Sequence, residues 1–126
     1  RSNSDIALVR ERKAAGMARR QLRQAEKKKQ QGLKDEFYAE VLMAINKYLG
    51  YKLRIPVADI SRERVLSELG SRHIDPSVKD HLVDTIDTAE YARYAPGAVS
   101  GDLDKVYRDT VNLITNLDQQ LSKKQS

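Results

Sequence analysis

Apolar residues recur with helical spacing over most of this chain. Phe37, Val41, Ala44, Ile45 and Tyr48 recur at helical spacing, with Leu42, Met43 and Leu49 beside them. That period places the first set on one side of an α-helix, and the neighbours widen the stripe. The segment from Asp35 therefore predicts a helix buried on more than one side, stopping near Gly50. Residues 55–60 read as a short connector, because Pro56 disfavours a helical residue before it. Ser61 is the N-cap of a short helix with Val65, Leu66 and Leu69 inward and Gly70 at its end. Arg64 stands where a capping box would need Glu or Gln, so the cap is a single-residue signal.

Asp75-Pro76 is a stronger start, an N-cap followed by proline at the first helical position. That helix runs to about Tyr94 and ends before Pro96-Gly97. Ser100 opens the last helix, with Asp102 and Asp104 at its positive end and Lys123 and Lys124 at its negative end. Its stripe is Leu103, Val106, Tyr107, Thr110, Ile114, Leu117 and Leu121.

The first third has a different pattern. Residues 4–31 are rich in Ala, Arg, Lys, Gln and Glu, all good helix formers, with Ser4 as N-cap. The apolar stripe is thin: Ile6, Val9, Ala14, Ala18, Leu22 and Ala25. So thin a stripe predicts a long solvated helix outside the core. Gly16 and Gly32 weaken it, and Gly32 marks a bend or boundary. No β-rich run and no 20–50-residue repeat occurs. The expected fold is all-α: a small bundle of about four helices preceded by a long basic N-terminal helix. The division is an arm at 1–33, a bundle at 34–122 and a tail at 123–126. Phe37, Val41, Ile45, Leu66, Leu69, Leu82, Ile86, Val106, Ile114 and Leu117 are the expected core.

Charge sharpens this division. Residues 1–34 hold 11 Lys/Arg against 3 acids, and residues 35–126 hold 12 against 15. The net +5 is thus a property of the arm, and the mildly acidic remainder argues against a nucleic-acid surface spread over the domain. With no Cys, the chain has no disulfide framework, thiolate zinc site or thiol nucleophile. No run of 18 apolar residues predicts a transmembrane helix, and no signal-peptide pattern opens the sequence. Phosphate-cradling glycine loops, HExxH and a nucleophile elbow are all missing, so neither catalysis nor a cofactor is expected. His73 and His81 read as surface or satisfied-core residues.

The helix after Asp75 carries the most information. At about 100° per residue, Val78, Leu82, Thr85, Ile86 and Ala89 share one face, and Asp80, Asp84, Asp87 and Tyr91 cluster on the opposite one. Three carboxylates at i, i+4 and i+7 fit a solvated acidic face, a docking strip for a basic partner or a hard-cation site. Tyr91 on the same side favours docking. Arg93 falls toward the apolar side and Tyr94 between the faces.

The stretch 82–97, LVDTIDTAEYARYAPG, is similar to the signature near the C-terminus of the BatD family, bacterial membrane proteins associated with aerotolerance. The resemblance extends over roughly 34–121, through Phe37-Tyr38, Ala44, Tyr48-Leu49, the Leu53-Ile55-Pro56 connector and Asp104-Lys105-Val106-Tyr107. The octapeptide EYARYAPG and the Pro56 connector are its most specific parts. It implies a secreted β-sandwich region, one membrane span, and this chain as the helical part at the cytoplasmic face of the inner membrane. It also implies protein partners: other Bat-type membrane proteins with von Willebrand A domains, and a MoxR-type AAA+ ATPase. It carries no catalytic residues, metal or cofactor. The expected partner-binding residues are Asp80, Asp84, Asp87 and Tyr91, from the helical phase, with Arg93, Tyr94, Pro96 and Gly97 as structural support.

Three readings of the arm stay open: a solvated helix, a membrane-proximal stalk, and a nucleic-acid-binding element. Arg10, Arg12, Lys13, Arg19, Arg20, Arg23, Lys27, Lys28 and Lys29 suit a stalk, since cytoplasmic flanks of spans carry excess Lys/Arg and such clusters are drawn to anionic lipid. Nucleic-acid binding is the alternative function. The arm has no aromatic before Phe37, which leaves phosphate contacts and no base stacking.

Overall fold

The computed structural model describes the backbone of residues 3–94 and 103–124, and the side chains of 12–92 and 103–122. Five α-helices occur among them: α1 (Asn3–Gln30), α2 (Lys34–Lys52), α3 (Arg62–Ser71), α4 (Pro76–Tyr94) and α5 (Leu103–Lys124). A 3-10 turn at Val57–Asp59 interrupts the connector before α3. No strand occurs among the described residues. The all-α bundle with a long N-terminal helix is the observed fold.

Local signals set the starts of α3 and α4. Ser61 Oγ accepts the Arg64 N–H at 3.1 Å at the head of α3. Asp75 Oδ1 accepts the Ser77 N–H at 3.1 Å, with Pro76 at the first helical position of α4. Gly32, at φ 74, closes α1: its N–H reaches Lys29 O at 3.1 Å and the Leu33 N–H reaches Lys28 O at 2.9 Å. This pair of bonds is a Schellman motif, and it turns the chain directly into α2.

Two helix ends differ from expectation. Gly50 and Gly70 do not stop their helices. α2 continues to Lys52, and Arg54 takes the left-handed position at φ 58. α3 continues to Ser71, and His73 takes it at φ 56. Gly50 instead marks a close approach. A Cβ there would lie 3.1 Å from Ile60 Cδ1 and 3.3 Å from Ile55 O, where the connector folds back over α2.

The core is built around α2. Phe37, Tyr38, Val41, Ala44, Ile45, Tyr48 and Leu49 are each at most 1% exposed. Helix α2 packs on α1, α4 and α5; α1 and α4 each pack on α5 as well. Of the expected core, Leu66, Ile86 and Val106 are half-buried and the others are fully covered. Leu113 joins the α5 stripe, and Met43 faces outward.

The expectation that α1 stands outside the core is wrong. Ala14, Ala18, Leu22 and Ala25 are at most 1% exposed, packed along α2 and α5. A row of alanines exposes little apolar area in isolation, yet it lets two helix backbones approach closely. The boundary at residue 33 is therefore a turn inside one core. Polar contacts follow the same seam: Gln21 donates to Glu40 and accepts from Lys47, each at 2.9 Å.

At the far end of α2, Tyr48 donates to Asp118 Oδ1 at 2.9 Å, and buried Lys52 reaches the same oxygen at 3.3 Å and Ser122 Oγ at 2.9 Å. These contacts hold the last turns of α5 against α2. Burial, then the charge of Asp118 and the hydrogen bond to it, push the Tyr48 phenol above the usual tyrosine range. Tyr38 is raised by burial, and its hydroxyl has no hydrogen-bond partner among the described residues.

Leu22→Ala is expected to cost about 2–5 kcal/mol in urea unfolding; a change near zero would return α1 to solvent. Tyr48→Phe should cost about 1.5–3 kcal/mol, because it removes a donor to a carboxylate, whereas Tyr38→Phe should be neutral or stabilising. A phenol raised on folding contributes stability that is complete below its unfolded pKa near 10 and declines as pH rises past it. Wild type should therefore lose stability above about pH 10, and Tyr48→Phe should flatten that decline.

Candidate functional site

The outer face of α4 is built by helix phase. Val78, Leu82, Thr85 and Ala89 turn into the core, which leaves Asp80, Asp84, Asp87 and Tyr91 in solvent. Tyr91 is 59% exposed. The four predicted residues thus share one surface strip. Thr85 satisfies its buried hydroxyl by donating to His81 O at 2.8 Å.

Asp80 and Asp84 take part in no ion pair among the described residues. Asp87 differs. Arg62, the first residue of α3, forms an ion pair with Asp87 and lies 3.6 Å from Glu90. The hydrogen bond that Arg62 donates to Asp87, then the Asp87 charge, stabilise the guanidinium's charged form and raise its pKa. The strip is therefore two open carboxylates, one held carboxylate and an exposed tyrosine. No group of three His, Cys, Asp or Glu suited to a metal occurs among the described residues.

Arg62 and Glu90 also rim a cleft of about 200 Å³ between α2, α3 and α4. Its walls are Leu42 and Leu49 of α2, Val65 of α3 and Ile86 of α4. Sequence reasoning missed this cleft and the role of Arg62. The wheel shows that Glu90 and Asp87 lie outward, one turn apart, but not which cation from another helix meets them. Val57, in the 3-10 turn, is 84% exposed.

The backbone of α4 reaches Tyr94, as expected. The side chains of Arg93 and Tyr94, together with Pro96 and Gly97, lie outside the described residues, as does Arg10's side chain.

The remaining basic residues divide into two groups. Lys28 pairs with Glu36 at 3.5 Å; Lys29 lies 3.2 Å from Glu26 and forms an ion pair with Asp104 of α5. These two lysines tie α1 to its neighbours. The hydrogen bond to Asp104 raises Lys29, and the reciprocal contact lowers Asp104. By contrast, Arg12, Lys13, Arg19, Arg20, Arg23 and Lys27 are all exposed.

No protein-family model matches this chain, and neither a curated protein nor a solved structure is significantly similar to it.

An exposed ion pair contributes little to stability. Arg62→Gln is expected to leave the urea midpoint nearly unchanged. Leu69→Ala, at a fully buried α3 position, should cost about 2–5 kcal/mol. A large loss from Arg62→Gln would show that the pair, rather than the apolar contact, docks α3.

Proposed function

We propose that this chain is a non-catalytic protein-interaction domain at the cytoplasmic face of a bacterial inner membrane, part of a BatD-like membrane protein. In this reading it works in an assembly with a MoxR-type AAA+ ATPase and von Willebrand A proteins linked to aerotolerance. The observation that carries the proposal is the exposed α4 strip, which runs straight into the EYARYAPG octapeptide at residues 90–97.

Part of the strip has no opposite charge beside it among the described residues. Asp80 and Asp84 are like charges at i, i+4, which mildly destabilises a helix. A basic partner surface offsets that repulsion. Tyr91, one turn beyond Asp87, supplies an aromatic anchor of the kind enriched at binding hot spots. The basic N-terminal helix suits a position beside a membrane span. No helix among the described residues is itself long and apolar enough to cross a membrane.

The test is capture by the purified cognate ATPase and purified von Willebrand A proteins. The triple variant Asp80→Lys, Asp84→Lys, Tyr91→Ala leaves the Arg62 contacts in place, so its far-UV helical signal should match wild type. Capture should fall at least about tenfold, since one hot-spot anchor alone is worth about 2 kcal/mol. Full capture by the folded variant would move the interface elsewhere.

A further inference from the structure

The arrangement of the helices separates the charges of this domain. Helices α2 and α5 touch each other, and α1 and α4 each pack on both of them but not appreciably on one another, which puts α1 and α4 on opposite sides of the central pair. The buried stripes of α1 and α4 face this central pair, so their outer faces point in opposite directions. On α1 the outer face is Arg12, Lys13, Arg19, Arg20, Arg23 and Lys27, all exposed. On α4 it is Asp80, Asp84 and Asp87.

The six α1 cations form a continuous patch. They fall within an arc of about 120° and span about 22 Å along the helix. None of them takes part in an ion pair among the described residues. Glu26, the carboxylate on α1 whose side chain is described, lies off this face, where it pairs with Lys29. A patch of one sign that the described residues leave uncompensated attracts anions from solution.

We propose that the α1 face seats flat on an anionic bilayer and that this contact points the acidic α4 strip away from the membrane. The inference deepens the juxtamembrane reading and rests on it for the presence of a membrane. The shared ligand chemistry is phosphate, and two observations favour lipid over nucleic acid. The face carries no aromatic to stack on bases. The opposite acidic face repels any polyanion that wraps the domain. A flat surface meets all six cations at once and never approaches α4.

The face has no large apolar residue to insert, so binding is electrostatic and reversible by salt. Membrane seating and partner docking use opposite faces and do not compete.

The chain has no native cysteine, which allows single nitroxide labels. Gly16→Cys lies in the middle of the basic face, where an added Cβ meets nothing within 4 Å. Thr88→Cys lies beside the α4 strip and is exposed. The full chain is mixed with phosphatidylcholine vesicles with or without one quarter phosphatidylglycerol, doped with a nickel-chelating lipid.

The expected result is binding to the anionic vesicles at low salt and release at high salt. The Gly16 label should be relaxed by nickel and the Thr88 label unaffected. Each cation removed should weaken partitioning about fivefold, so Arg19→Gln, Arg20→Gln, Arg23→Gln and Lys27→Gln together should abolish it. Equal relaxation of both labels, equal binding to neutral vesicles, or retention of duplex or single-stranded nucleic acid at salt that releases the vesicles would each overturn the proposal. The wild-type salt response needs no variant to fold. The vesicles contain no protein partner and the capture assay contains no lipid, so the two proposals fail separately.

Discussion

Helix α2 carries an apolar face too broad for one neighbour to cover, and the rest of the structure follows from that. Its buried residues point in several directions, from Phe37 and Tyr38 through Ile45 to Leu49. With one Phe and no Trp in the whole chain, the core is largely aliphatic and has to close by number of contacts. Three helices are needed around α2, and α1 is one of them. The Schellman turn at Gly32 makes this arrangement local, because α1 and α2 are joined by a tight reversal that lays one against the other.

Covering α2 with a stripe of alanines has an electrostatic consequence. A narrow apolar stripe leaves most of the circumference of α1 for charged residues. The cations near the turn are drawn into pairs with Glu26, Glu36 and Asp104, whereas those on the outer side are not. On the opposite side of the bundle, α4 has the reciprocal arrangement. Its acids are outward, and Arg62 of α3 meets only the end of the row at Asp87 and Glu90. The outer faces of α1 and α4 thus carry opposite signs of charge, with the α2–α5 pair between them. A partner of either sign meets a distinct surface.

The polar contacts that enter the core do so where two helices need a fixed register. Tyr48, Lys52, Asp118 and Ser122 join the end of α2 to the end of α5. As a set such groups return less than the cost of deleting any one of them, because their pairing must first offset their removal from water. Their effect is to penalise any sliding of α5, since displacement would leave a buried ammonium and a carboxylate without partners. Tyr38 shows the opposite case: its ring packs edge to face on Phe37, 5.2 Å between centroids, while its hydroxyl meets no partner among the described residues.

The sequence by itself determined what depends on neighbours along the chain. Ser61 and Asp75 mark helix starts because a cap is a bond to a backbone N–H two or three residues away. Asp80, Asp84, Asp87 and Tyr91 share a face because helical phase is a property of one helix. Tertiary structure decided what depends on a second helix. Ala14, Ala18 and Ala25 are core only because α2 lies across them, and alanine carries too little apolar area to announce it. Gly50 is spared a side chain by the approach of Ile60, and Arg54 and His73 are held left-handed where a glycine was expected. Asp87 is held and Asp84 open because Arg62 arrives from α3 beside one and not the other. Local rules act through the covalent chain over a few ångströms, whereas packing sets which distant residues meet, and a periodic pattern carries no record of that.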